Sequence, residues 1–106
     1  MQLQVLLVAG THGNEINPIW LFEEWEKSSS LINTYGIKTF KVIGNPEARK
    51  AGKRYIHHDL NRSFKEESFK STNSSNIEET RANELVKLYG KSGKKPCQIA
   101  LDFHTT

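Results

Sequence analysis

Residues Leu3–Ala9 (LQVLLVA) are aliphatic, with no polar alternation over the second half of the run. That pattern predicts a strand covered on both faces, as in a parallel sheet with helices on each side. Gly10 and Gly13 break the run. Beyond them, Asn17-Pro18 reads as an N-cap followed by proline at the first helical position, where the missing N–H costs nothing. Ile19, Leu21, Phe22 and Trp25 then recur near helical spacing to about Lys27, ahead of a break at Ser28–Ser30. The first unit is therefore strand, glycine loop, helix.

A second strand is predicted over Ile37–Ile43 (IKTFKVI), ended by Gly44-Asn45-Pro46, after which the stretch to Arg62 offers no clean period. Residues 65–76 are polar and rich in serine and asparagine, the composition of an exposed, mobile connection. Asn76 with Glu79 resembles a capping box. Ile77, Ala82, Leu85, Val86 and Tyr89 then line one face of a helix that Gly90 can end. After the loop GKSGKKP, Gln98–Phe103 reads as a third strand. Alternating strands and helices predict an α/β fold with a mostly parallel sheet flanked by helices. At 106 residues the chain is one domain at most.

Composition narrows the function classes. The longest apolar run, Val5–Ala9, is far short of the roughly 20 residues that span a bilayer. The N-terminus lacks the basic start of a signal peptide. One cysteine, Cys97, excludes an intrachain disulfide and fits a reducing compartment, so a cytoplasmic protein is expected. A net charge of +3, from 15 Lys and Arg against 12 Asp and Glu, is too small to argue for nucleic acid, though it suits an anionic small molecule. Nothing in the sequence sets the oligomeric state.

Two predicted strands run directly into histidine-bearing segments, Gly10-Thr11-His12-Gly13-Asn14-Glu15 and Asp102-Phe103-His104. Ligands of open α/β sheets gather at the carboxyl ends of the strands. If these two strands are near neighbours, His12, Glu15 and His104 converge, and two imidazoles with a carboxylate form a hydrolytic zinc ligand set. Spacing alone leaves open that His12 and Glu15 belong to a polar turn, and that Asp102 merely bonds nearby backbone amides. A second cluster spans Arg54 to Arg62. Two arginines flanking an aromatic and an amide side chain suit an anionic small molecule, yet on composition alone surface ion pairs with Asp59, Glu66 or Glu67 are the better explanation. His57 and His58 are adjacent, a poor arrangement for one metal.

Three separated motifs carry a resemblance. GTHGNE (10–15), NP with RYI and DLNRSF (45–46 and 54–64) and DFHTT (102–106) are similar, in order and spacing, to the aspartoacylase and succinylglutamate desuccinylase family, relatives of the zinc carboxypeptidases. The resemblance implies one zinc ion per chain, held by His12, Glu15 and His104. It implies that Arg54 contacts substrate or stabilises the oxyanion, that Asn61 and Arg62 grip carboxylates, and that Asp59 supports the metal site from behind. The reaction implied is hydrolysis of an N-acyl amino acid, with N-acetyl-L-aspartate the expected substrate. N-succinylglutamate or another N-acyl amino acid is the alternative within the family, and a non-catalytic zinc-binding remnant the alternative outside it.

Two departures qualify the resemblance. The family usually shows aspartate where His57 stands. The family's general-base glutamate lies well beyond the third ligand, and nothing in residues 1–106 matches it. Glu23, Glu24 and Glu26 fall on the predicted first helix, as a solvated face. The expectation is the N-terminal part of a zinc-hydrolase catalytic domain, truncated before its general base.

Overall fold

In a computed structural model of the chain, residues 3–28, 36–64 and 76–105 are described. The predicted mobile connection lies outside them except for Asn76, as do Thr106 and the suggested ion-pair partners Glu66 and Glu67.

The predicted doubly covered strand is the centre of the sheet. Strand β1 (Leu3–Ala9) pairs in parallel with β2 (Ile37–Ile43) on one side and β3 (Ile99–Asp102) on the other. Val5–Ala9 are all buried, as the unalternating apolar run requires. Val5, Leu7 and Ala9 meet Ile19 and Phe22 of helix α1 (Ile16–Lys27), with Trp25 and Phe103 packed against them. The intervening Leu6 and Val8 line a groove with Leu85 and Tyr89 of a later helix. Burying a side chain such as Leu7 or Phe22 contributes about 1.5–3 kcal/mol. The two layers follow from alternate side chains pointing to opposite faces.

The helices differ from the sequence pattern in two places, the start of the first and the stretch after β2. Helix α1 starts at Ile16, two residues earlier than the Asn17-Pro18 signature suggested, and Pro18 sits inside its first turn, where amides still lack helical acceptors. A short helix α2 (Pro46–Ala51) fills part of the stretch that showed no period. It carries the capping chemistry expected near residue 17: Ala48 N–H donates to Asn45 Oδ1 at 3.2 Å, and Pro46 takes the first helical position. Helix α3 (Ile77–Tyr89) is capped by Asn76, which accepts from the amides of Glu78 and Glu79. Its buried face runs through Glu78, Ala82 and Leu85, whereas Val86 is exposed.

The chain is tightest behind the first glycine loop. A side-chain carbon on Gly13 would stand 2.2 Å from the Ala48 carbonyl carbon, so only glycine lets this loop lie against α2. Gly10 takes a left-handed φ of 71° where β1 turns into the loop. The ladder continues past the strand, with Gly44 N–H donating to Ala9 O at 2.7 Å and Asn45 N–H to Gly10 O at 2.9 Å.

Candidate metal centre

Because β1 and β3 are direct neighbours, with Val8 opposite Asp102, the segments that follow them emerge side by side. His12 and His104 lie with ring centroids 5.0 Å apart, and Glu15 reaches both. One ligand atom from each of His12, Glu15 and His104 can be chosen so that all three lie within 4.8 Å of one another. Among the described residues this is the one such grouping of histidine, cysteine and carboxylate side chains.

The orientation of the rings is the informative part. His12 Nδ1 faces Glu15 Oε2, and His12 Nε2 faces Asp59 Oδ1 at 3.0 Å. His104 Nδ1 faces Glu15 Oε1 at 3.2 Å, and His104 Nε2 faces Asp102 Oδ2 at 2.9 Å. A neutral imidazole has one N–H and one lone pair. If each Nε2 donates to its aspartate, each Nδ1 presents a lone pair toward the same carboxylate. Three electron-rich groups then converge, an arrangement that one divalent cation would complete. The donor set fits zinc, and the aspartates supply the outer hydrogen bonds that fix a metal-ligating histidine's tautomer and ring plane.

Electrostatics follow from the same contacts. Burial pushes the Glu15 carboxyl upward, but the Thr105 amide, donating at 2.7 Å, and the two imidazoles outweigh it and leave the group below its ordinary range. Asp59 is held low in the same way, burial being overcome by the Asn61 amide, His12 and Arg54. His104 moves the other way: burial disfavours its cation, yet Asp102 and Glu15 raise its pKa above the ordinary value. The pocket without metal is thus a proton trap at His104.

Of the other anticipated residues, Asp59 places Oδ1 3.0 Å from His12 Nε2. Arg54 is largely exposed and touches Asp59 Oδ2 only at 4.0 Å, while its carbonyl accepts from Gly13 N–H at 3.2 Å. Asn61 and Arg62 form a 3-10 turn with Leu60, their amides donating to Asp59 Oδ1 and Asp59 O, with both side chains exposed. His57 is away from the metal grouping, and its Nδ1 accepts from the Ile77 amide at 3.1 Å, so the departure from aspartate keeps an acceptor there. Glu23, Glu24 and Glu26 pair with Arg49, Lys27 and Lys41, as a solvated face does.

Two residues do more than the sequence suggested, Asp102 having been read there only as a partner of nearby backbone amides. Asp102 holds His104 and also accepts from Thr11 Oγ1 at 2.7 Å, joining the two strand ends. Its position two residues before His104 was a usable signal. Glu78 is fully buried and holds backbone amides of residues 56–58. No local pattern marks it, since the groups it meets are about twenty residues earlier in the chain.

The family model described as succinylglutamate desuccinylase/aspartoacylase catalytic domain matches residues 1–106. A probable aspartoacylase of Prochlorococcus marinus (strain NATL2A) is 82% identical over 105 residues, covering 99% of this chain and 34% of that protein. Murine aminoacylase 3 superposes with a TM-score of 0.83 at 32% identity, over 97% of this chain and 35% of that one. The succinylglutamate desuccinylase of Chromobacterium violaceum gives a TM-score of 0.75 at 26% identity, over 97% and 33%. The chain spans about a third of the length of the relatives it matches.

Proposed function

Because the chain belongs to the succinylglutamate desuccinylase/aspartoacylase catalytic-domain family, we propose that residues 1–106 form the N-terminal, metal-holding part of a zinc-dependent N-acyl amino acid deacylase acting on N-acetyl-L-aspartate. The observation that carries the reading is the pair of imidazoles, each anchored through Nε2 and presenting Nδ1 to Glu15. His12, Glu15 and His104 would hold one zinc ion. Bound zinc supplies Lewis-acid polarisation of the acyl oxygen and activation of water near neutral pH.

The chain's own groups do the rest. Asp59 and Asp102 hold the imidazoles in the tautomer that leaves Nδ1 free. Arg54 supplies positive charge where the acyl oxygen becomes negative, as an oxyanion hole does. Asn61 and Arg62 bind the substrate's carboxylates and so orient its amide. A small anionic substrate is in keeping with the net charge of +3. No helix among the described residues is long and apolar enough to cross a membrane, and a lone cysteine suits the cytoplasm.

Zinc titration against a competing chelator tests the reading. Wild type should bind one zinc ion, and His12→Ala and His104→Ala should each lose affinity. Unchanged affinity in both variants would remove the metal from the account. On the zinc-loaded chain, calorimetry with N-acetyl-L-aspartate, N-succinyl-L-glutamate and uncharged N-acetyl amino acids separates the substrates. Preference for N-acetyl-L-aspartate is expected, and preference for the succinyl compound would reassign the substrate.

A further inference from the structure

We propose that Glu78 is a positioning residue, a buried carboxylate that fixes the path of residues 54–59 and so delivers Asp59 to His12. The inference deepens the proposed function and rests on its reading of His12 as a metal ligand.

Glu78 is completely buried in the first turn of α3. Its Oε1 accepts from the amides of His57 and His58 at 2.9 and 3.0 Å. Its Oε2 accepts from the Ile56 amide at 2.9 Å and from Asn45 Nδ2 at 2.8 Å. Four donors use the full acceptor capacity of a carboxylate. Such a group is costly to bury, and Ala82 and Leu85 show that an apolar residue suits this helix face. The carboxylate must therefore supply something packing cannot.

What it supplies is a partner for three successive amides that have no helix or strand of their own. The segment is tied at one end, where Arg54 O accepts from Gly13 N–H, and at the other, where Asp59 meets His12. Glu78 holds the span between. The contact is reciprocal, because His57 Nδ1 accepts from the Ile77 amide at the start of the same helix. One turn further on, Arg81 donates through Nε to Gly44 O and through Nη2 to Ile43 O, both at 2.8 Å. Helix α3 thus brackets the 56–58 loop and the end of β2 on one rigid element. Asp59 is one residue past the clamped amides, so its carboxylate can meet His12 Nε2 only while that clamp holds.

A double-mutant cycle on zinc affinity tests this. Asp59→Ala should weaken zinc by about tenfold or more, as loss of a partner to a metal-ligating histidine does. Glu78→Ala should weaken it by roughly three- to tenfold through displacement of Asp59, and the double variant should be no weaker than Asp59→Ala alone. Val5→Ala, which opens the core at the far end of β1, should lower the melting temperature and leave zinc affinity within about twofold. Should Glu78→Ala not fold, Glu78→Gln carries the test, since it keeps one acceptor oxygen and turns an NH2 toward two donors. Its zinc affinity is then read together with amide exchange at residues 56–58, which should accelerate. Zinc affinity unchanged in the Glu78 variant, or losses that multiply in the double variant, would overturn the role of Glu78 while leaving the metal site intact. Wild-type affinity in both His12→Ala and Asp59→Ala would instead overturn the metal reading, and the role of Glu78 with it.

Discussion

The corner formed by His12, Glu15 and His104 and the segment from Arg54 to Arg62 are built differently. In the corner every imidazole nitrogen has a carboxylate facing it, and the Glu15 side chain is only 13% exposed. In the segment the backbone is held, by Gly13 and Glu78, but the Arg54 side chain is 56% exposed and Asn61 and Arg62 face solvent. Side chains that are to hold a metal must be fixed beforehand, because geometry sets which ion fits and misplacement is costly. Side chains that grip a diffusing anion need only a fixed base, since the ligand itself completes their order. Substitutions in the two regions should therefore separate metal affinity from anion affinity.

The largest effect is expected at Glu15, which both histidines share. Glu15→Gln should lower zinc affinity by more than about 100-fold, beyond the 10–100-fold typical of an outer partner. It should also change the metal-free fold, because the carboxylate's charge, which His12 and His104 both face, is lost. Chelator competition reads the first and urea unfolding the second. A glutamine variant that binds zinc like wild type would mean the corner is only an ion-pair network.

Next come the two aspartates behind the rings. Asp102→Asn and Asp59→Asn should each weaken zinc by about 10–100-fold. The two are not equivalent. Asp102 also accepts from Thr11 Oγ1, which ties β1 to β3, whereas the further bond of Asp59, from the Asn61 amide, lies within its own turn. The asparagine variant at 102 should therefore show the larger fall in melting temperature. Equal thermal losses would reduce Thr11 to a bystander.

How far the corner was legible in the sequence follows from what kind of signal each part gives. The apolar run Val5–Ala9 carries its own message about double burial, and it ends at the histidine loop. His12 and Glu15 share one loop, and His104 follows β3, whose residues are all exposed, so convergence needed only the assumption that β1 and β3 are neighbours, which they are. Helix α2 was lost because six residues hold too few turns to show a period, although Asn45-Pro46 announced it. The same dipeptide signature at Asn17-Pro18 misled, because Glu15 is spent on the two histidines rather than on capping α1. Glu78 had no local signal at all. As the second residue of a capped helix it looks like a favourable charge at a helix start, and only the folded chain turns it inward.

The pH dependence sharpens the comparison further, because the sign differs within the corner itself, between His104 and Glu15, while Asp59 and Glu78 share the sign of Glu15. His104 is raised above its ordinary 6.5, so in the metal-free chain its contribution is full below 6.5 and is lost as pH rises through the folded value. Glu15, Asp59 and Glu78 are lowered, so their contributions are present above the ordinary values of 4.5, 3.8 and 4.5 and are lost as pH falls through the folded ones. For Glu78, burial pushes the carboxyl up and its four hydrogen bonds more than reverse that. Metal-free stability should therefore peak between the carboxylate range and the His104 range. Zinc needs the Nδ1 lone pairs, so its affinity should rise with pH, about tenfold per unit for each proton displaced. Urea midpoints and zinc affinities from pH 5 to 8 check both signs. A metal-free chain that gains stability from pH 6 to 8 would contradict the proton trap.

The smallest structural effect should fall on Arg62, and that is what makes it the decisive residue of the second region. Its side chain is exposed and its backbone amide alone ties it to Asp59. Arg62→Ala should change stability by no more than about 0.5 kcal/mol, as exposed positions do, and should leave zinc affinity where it was. If the guanidinium grips a substrate carboxylate, the affinity of the zinc-loaded chain for N-acetyl-L-aspartate should nevertheless fall by roughly tenfold, the scale of a charge-assisted bond lost. Arg62→Lys should recover only part of this, because an ammonium cannot reproduce the two-pronged contact. A variant that loses zinc along with the anion would show that the segment is part of the metal scaffold. One that loses neither would return Arg62 to the solvated surface that its composition first suggested.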